Sequence, residues 1–434
     1  MKARRSPSIG LTAVMLLLSL LSCRPFLLLV PAGTATPILA ISPNASAAPS
    51  PLPEPSPGPT ALQETLPPSA SGLVIVHLQP GQSIEITYIR MISSSEGWSI
   101  GGINGSSDHV FRTSDGGLTW RDVTPPEPAS QNPEDKKEVT GFFKNNNFAW
   151  VIYSPQSGFP TPEYAVVWYT QDGGTSWKAS LPLDSSLFVE MFIPSDMQFI
   201  DNQNGWFLVH MGAGMNHDYI ALLASKDGGT TWQVLFSPYH DGGIQSCSKT
   251  GMVFTNTQTG WLTSDCHGVR MDLYLDRTND GGVTWEEISL PTPADPSDLL
   301  DEFYCGLESP LLFSPGFGLF ALVCPEPYDW QKTAHAYVYS TSDGGTNWQI
   351  YPYSGGDLIF MDRQNGLAVN RTIYNTKNGG QTWTFVKEIN WDGQFSFTDA
   401  SHGWAVARNE ELSVLVKTTN GGSTWEEIRP QLAP

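Results

Sequence analysis

The sequence predicts an all-β chain folded as a seven-bladed β-propeller of four-stranded antiparallel blades. Two observations carry the prediction. An octapeptide with a central Gly pair and a terminal Trp recurs seven times. A Gly-Trp dipeptide or a close variant, opening a β-rich strand after a polar turn, precedes every copy. Four short strands at a period of a few tens of residues make one blade, because a single blade cannot cover both faces of its own sheet and must stack on its neighbours.

The first octapeptide is Thr113-Ser-Asp-Gly-Gly-Leu-Thr-Trp120, and the others span 170–177, 225–232, 278–285, 341–348, 376–383 and 418–425. Its third position holds Asp115, Asp172, Asp227, Asp280 and Asp343, then Asn378 and Asn420 in the last two copies. A carboxylate or amide there can accept backbone hydrogen bonds of a tight turn, and the Gly pair permits positive φ. That assigns these seven residues to the fold; the two amides suit a capping role and would not suit a catalytic one. The preceding motif is Gly97-Trp98, Ala149-Trp150, Gly205-Trp206, Gly260-Trp261, Gly318-Leu319, Gly366-Leu367 and Gly403-Trp404. In the first repeat the predicted strands are 84–91, 98–101, 109–113 and 120–123, and each octapeptide is expected in the hairpin between the third and fourth strands. Residues 73–78, Leu-Val-Ile-Val-His-Leu, have the composition of one strand beyond those the repeats supply.

Ahead of the repeats, Lys2, Arg4 and Arg5 precede an apolar run over 9–21 that ends in Leu-Leu-Ser-Cys23. This is the pattern of an export signal with a lipobox, over residues 1–23, and it makes Cys23 the expected site of lipidation. The run is shorter than the roughly 20 residues a membrane-spanning helix needs, and Arg24 interrupts it. The alternative is a longer signal peptide cut after Ala45-Ser46-Ala47. Residues 24–72 shift to Pro, Ala, Ser and Thr and read as an extended tether, leaving 73–434 for the propeller. The expected location is extracytoplasmic, lipid-anchored or secreted, with the membrane met only through the anchor. The net charge of −20 argues against nucleic acid or an anionic surface as partner, since both need a cationic footprint.

The octapeptides resemble Asp boxes, also called BNR repeats, over residues 84–430. That family includes sialidases, xyloglucan-active glycosidases, sortilin-type receptors and the photosystem II assembly and stability factor; the Gly-Trp strand followed by Thr-x-Asp-Gly-Gly-x-Thr-Trp is most similar to the last. The resemblance implies a propeller whose Asp boxes are structural turns. Sialidases carry an Arg-Ile-Pro motif and three arginines that clamp a carboxylate. Here the nearest match, Met191-Phe-Ile-Pro194, lacks the arginine.

Other chemistry finds little support. Gly97-Trp-Ser-Ile-Gly101 matches a nucleophile elbow in form only, being the first copy of the Gly-Trp strand. The eight histidines show no metal-binding spacing and there is no phosphate loop, so no metal, cofactor or nucleotide is expected. A glycosidase would need two facing carboxylates, and the sequence singles out no pair.

Cys247 and Cys266 flank one Gly-Trp position at the same offsets as Cys305 and Cys324 flank another. Each pair should meet across the top of a hairpin between the innermost strand and its neighbour, giving disulfides Cys247–Cys266 and Cys305–Cys324, which export permits. The loops between second and third strands, and the connections between blades, are longest in repeats two to five. Both loop types leave a propeller on the face opposite the Asp boxes, where recognition usually sits. Their extra residues include Phe159, Tyr164, Tyr219, His240 and Phe303, and the candidates for the ligand face are His217, Tyr239, Asp298, Asp301, Tyr328 and Trp330. The expected function is a non-catalytic protein-binding or assembly scaffold; the alternative is a glycan-binding or glycan-hydrolysing propeller.

Overall fold

The computed structural model describes residues 74–130, 136–214, 217–238, 247–265, 272–314, 316–327, 329–409 and 413–433. Blade 1 comprises β1 (Glu85–Met91), β2 (Gly97–Gly102), β3 (His109–Thr113) and β4 (Thr119–Asp122). Blade 2 comprises β5 (Lys137–Phe143), β6 (Ala149–Pro155), β7 (Val167–Thr170) and β8 (Lys178–Ala179). Blade 3 has β9 (Ile193–Phe199), β10 (Gly205–Gly214), β11 (His217–Ser225) and β12 (Gln233–Phe236), and blade 4 has β13 (Ser248–Phe254), β14 (Gly260–Asp265), β15 (Tyr274–Thr278) and β16 (Glu286–Ser289). A short helix α1 (Leu299–Glu302) and a two-residue strand β17 (Gly306–Leu307) lead into blade 5, which is β18 (Leu312–Ser314), β19 (Phe317–Glu326), β20 (Asp329–Thr341) and β21 (Gln349–Pro352). Blade 6 is β22 (Asp357–Phe360), β23 (Gly366–Val369), β24 (Thr372–Thr376) and β25 (Thr384–Glu388). Blade 7 is β26 (Asp392–Phe397), β27 (Gly403–Arg408), β28 (Ser413–Thr418) and β29 (Glu426–Ile428), followed by β30 (Gln431–Leu432).

Every blade is an antiparallel meander. Blades 4 and 5 are joined into one nine-stranded sheet because Gly306 of β17 pairs with both Asp265 of β14 and Val323 of β19. Among the described residues each of the seven repeats therefore forms one four-stranded unit, which fits seven blades. The core lies between blades, where large side chains from successive repeats interleave: Trp150 stacks on Phe199 at 3.7 Å and Trp206 on Phe254 at 3.9 Å.

The two sequence motifs have a common structural purpose. In the octapeptide turn, Asp115 accepts from Thr113 Oγ1 at 2.9 Å, from the Thr119 amide at 2.9 Å and from Thr119 Oγ1 at 2.6 Å. Asn378 and Asn420 keep the amide contact and reverse the last bond, donating Nδ2 to Thr382 Oγ1 and Thr424 Oγ1 at 2.9 and 2.8 Å. Both glycines of every octapeptide have positive φ, as in Gly116 (76°) and Gly117 (94°). In all seven repeats the first of these glycines donates its N–H to a carbonyl in the polar turn that precedes the Gly-Trp strand, as Gly228 does to Gln203 at 2.9 Å. In three of them its own carbonyl accepts the indole of the neighbouring blade's Gly-Trp motif: Trp150 reaches Gly228, Trp206 reaches Gly281 and Trp404 reaches Gly116, at 2.8, 2.9 and 2.8 Å, whereas Trp98 donates to Asn145 O at 2.9 Å. The Asp box thus ties the lower turns of its own blade and, in blades 1, 3 and 4, staples the preceding blade to it. The Gly of Gly-Trp is required by the same packing, since a Cβ on Gly205 or Gly260 would meet the ring of Phe199 or Phe254 at 2.5 Å.

Among the described residues, 74–78 do not form the extra strand that the composition of 73–78 suggests. Leu73 lies outside the described residues, and Val74 makes only an isolated bridge to Pro128 while residues 75–79 form no strand. Closure comes from the other end of the chain. Strand β30 adds in parallel to the outer strand β4, pairing Leu432 with Trp120, and Ile89 and Met91 of β1 donate to Gln394 and Ser396 of β26 at 2.8 and 2.9 Å.

The five Asp-box carboxyls are all held below the usual carboxylate range. Hydrogen bonds from Asn347 and Thr341 hold Asp343 at about 2, and those from Ser176 lower Asp172; in Asp115, Asp227 and Asp280 burial pushes the other way and the turn's donors prevail. A lowered folded-state pKa contributes stability that is present above the unfolded value and lost as pH falls through the folded one. Denaturant stability should accordingly hold above about pH 4 and decline from there toward about pH 2. Replacing these aspartates with Asn, as repeats six and seven do naturally, should flatten that acid limb in urea titrations across the window.

Candidate functional site

The face opposite the Asp boxes carries the loops between second and third strands and the connections between blades, and we call it the upper face. In blades 3 and 5 the added length is strand. β10 and β11 pair from Gly205↔Ser225 out to Gly214↔His217, and β19 and β20 pair from Gly318↔Thr341 out to Glu326↔Asp329, so both hairpins project beyond their neighbours. Cys305 and Cys324 form a disulfide across this region. The expected hairpin needs one adjustment: Cys305 precedes β17, and β17 with β18 makes up a broken innermost strand, with Glu308 and Leu311 still bonded to β19 through Ala321 and Leu319. Cys247, immediately before β13, is also disulfide-bonded, and Cys266 lies outside the described residues. Replacing Cys305 and Cys324 together with Ser should cost about 3 kcal/mol in the chain-entropy model for a loop of this length, read from denaturant midpoints without reductant.

Of the ligand-face candidates, Asp298 is exposed in the connection from blade 4 to blade 5, just ahead of α1. His217 opens β11, Asp301 lies in α1 and Trp330 in β20, but their side chains, like Tyr239, His240 and Tyr328 entirely, lie outside the described residues, as does Cys23. Other loop aromatics are partly used for packing. Tyr164 and Tyr219 pack against cores of blades 1 to 3, and Phe303 meets His335 edge-on at 4.8 Å, whereas Phe159 is half exposed.

A second group was missed by the search for long loops. Asp357 and Asp392 head the innermost strands of blades 6 and 7, where the loops are short. Arg371, in the turn from β23 to β24, donates Nη2 to Asp392 Oδ2 at 2.9 Å, and Arg408 stands opposite Asp392 in the β26–β27 register while donating to Thr87 O at 2.6 Å. Burial, followed by the charge of Asp392, pushes the Asp357 carboxyl above its ordinary range. Asp357 and Glu308 line a cavity of about 300 Å³ between blades 5 and 6, and both charges reach Tyr353, whose hydroxyl is raised chiefly by burial. The signal available in the sequence was the repeat register, which places Asp357 and Asp392 at the upper end of the innermost strands of two successive blades.

Between blades 3 and 4 lies a buried polar network. Lys249, with no exposed side-chain surface, pairs with Asp276 at 3.1 Å, its amide donates to Asp218 at 2.9 Å, and Asp218 meets His210 at 3.0 Å. Burial raises the nearby Asp196 to about 6, against the opposing charge of His210. Among the described residues no group of three or more His, Cys, Asp or Glu could hold a metal ion.

No protein-family model matches the chain. A sialidase of Vibrio cholerae is 30% identical over 146 residues, covering 27% of this chain and 18% of the sialidase. Xyloglucanase Xgh74A of Acetivibrio thermocellus is 25% identical over 267 residues, covering 51% of this chain and 30% of the enzyme. The chain thus spans less than a third of the length of these curated relatives. Among solved structures, a puromycin-hydrolyzing peptidase of Mycobacterium tuberculosis matches with a TM-score of 0.50 at 11% identity, over 82% of this chain and 57% of that one. YCF48 from Cyanidioschyzon merolae matches with a TM-score of 0.46 at 16% identity, over 79% of this chain and 97% of that one. The chain is a β-propeller. Its relatives by sequence include glycan-active enzymes.

Proposed function

We propose that this chain is an exported, lipid-anchored and non-catalytic propeller that binds a protein partner on its upper face and serves as a scaffold for complex assembly. The observation that carries the reading is the platform over blades 3 to 5: two projecting hairpins, a strand that ties blade 4 to blade 5, and a disulfide that ties the second hairpin to the segment just before that strand. Strand pairing and the disulfide restrict the backbone at this surface, which lowers the entropic cost of association. The disulfide supports export, because such bonds persist in oxidising compartments. Similarity of the repeat to the photosystem II assembly and stability factor points to assembly of a membrane complex.

The test uses Asp298→Ala combined with Trp330→Ala in the full chain, incubated with membranes of its own host. Wild type should retain one protein in stoichiometric amount. The double variant should bind it at least about 30-fold more weakly, as expected when hot-spot contacts of 2 kcal/mol or more are removed, with an unchanged melting temperature. Retention that survives this variant and is lost on altering the short loops of blades 6 and 7 contradicts the choice of face.

A second reading has its own support. Asp357, raised by burial, beside Asp392, paired with Arg371, is the kind of couple in which one carboxyl can hold a proton and the other stay ionised. It favours a glycan-active propeller. Release of reducing sugar from xyloglucan or of sialic acid from sialyllactose, abolished by Asp357→Asn and by Asp392→Asn, would establish it.

A further inference from the structure

On the lower face, blades 1 and 4 place an arginine over the Trp of the Gly-Trp motif in the same register, Trp98↔Arg112 and Trp261↔Arg277. The guanidinium carbons lie 4.6 and 5.1 Å from the ring centroids. In blade 1 the arginine is fully engaged: Nη2 donates to Glu96 Oε2 at 2.9 Å and Nη1 to Gly97 O at 2.8 Å. Glu96 is the residue before Gly97, and the residue before Gly260 is Thr259, which has no carboxylate. Arg277 consequently keeps the stacking and lacks the acceptor. Its Nε is buried with no hydrogen-bond partner. Glu286, opposite Arg277 across β15 and β16, instead accepts Asn279 Nδ2 at 3.1 Å.

Arg277 lines a cavity of about 190 Å³ between blades 4 and 5, whose walls include Thr255, Asn256, Thr259, Ser314, Phe317 and Gly344, and among the described residues no carboxylate lines it. A second guanidinium stands behind this wall: Arg363 lies over Phe317 at 5.0 Å and donates to Ser314 at 2.7 Å. A buried donor left without an acceptor costs its desolvation, and more so when charged, while a guanidinium offers a planar fork matched to oxyanions.

We infer that this cavity is an oxyanion site, in which a ligand's carboxylate, sulfate or phosphate takes the place that Glu96 fills in blade 1. The site is independent of the upper platform and lies on the opposite face. It holds a small group and little more, so the anion is either free or the tip of a larger ligand such as an acidic side chain.

The experiment is a titration of the full chain labelled with 15N-arginine, with sodium acetate in one arm and sodium sulfate in the other, at ionic strength held constant with sodium chloride. The Arg277 Nε signal is assigned by its absence in Arg277→Lys. It should shift saturably with at least one anion; acetate alone identifies a carboxylate site and sulfate alone a tetrahedral one. Thr259→Glu, which rebuilds the blade 1 arrangement, should weaken the response at least tenfold and raise the melting temperature. A signal that does not saturate with either anion, that responds equally to chloride, or that responds unchanged in Thr259→Glu overturns the inference.

Discussion

Truncating Trp404 to alanine should destabilise the propeller by about 3–5 kcal/mol, the range for removing a fully buried large aromatic side chain. The side chain has no exposed surface and packs with Ile89, Phe111, Trp120 and Leu415, which come from blades 1 and 7. It also donates to Gly116 O at 2.8 Å and carries Lys417 over its ring at 4.9 Å. Trp404→Phe keeps most of the apolar contact and removes the indole donor, so it should cost less, with about 1 kcal/mol assigned to the lost bond. Urea unfolding of the two variants separates packing from the staple. A Trp404→Phe variant as stable as wild type would show that the hydrogen bond to the Asp box contributes nothing.

Removing residues 430–434 should be nearly as damaging although it deletes only the last short strand. Leu432 is buried against the same core. Its backbone carbonyl accepts from Gly81 at 3.0 Å, its amide donates to Gln82 at 3.0 Å, and Ala433 donates to Trp120 O at 2.7 Å. Loss of a buried leucine alone costs about 2–5 kcal/mol, and the truncation leaves blade 1 with an unpaired outer strand as well. Hydrogen exchange should accelerate first at β4 and β1. Uniform acceleration around the ring would mean that β30 does not act as a local latch.

These two regions differ in how far the sequence revealed them. Trp404 belongs to a motif repeated at fixed register, and repetition exposes a structural requirement because each blade solves the same packing problem with the same residues. The link between Gly-Trp and the neighbouring Asp box was not legible, since it joins residues such as Trp404 and Gly116 that are 288 positions apart. The latch escaped for the opposite reason. Gln431-Leu432 is too short to carry a periodic signal, while 73–78 had a strand's composition without a free edge to pair with along its length. At the upper face, loop length located the projecting hairpins of blades 3 and 5. It passed over Asp357 and Asp392, which head the innermost strands of consecutive blades where the loops are short.

The central claim, that the upper platform meets a protein partner, is tested most directly by a photo-crosslinking amino acid placed at position 298 on the upper face and, separately, at position 118 in an Asp-box turn on the lower face. Both wild-type side chains are exposed, so neither substitution disturbs the core. Irradiation in membranes of the protein's own host should give one discrete adduct with a second protein from position 298 and none from position 118. An adduct from 118 alone, or no adduct from either together with hydrolysis of a glycan that depends on Asp357 and Asp392, would contradict it.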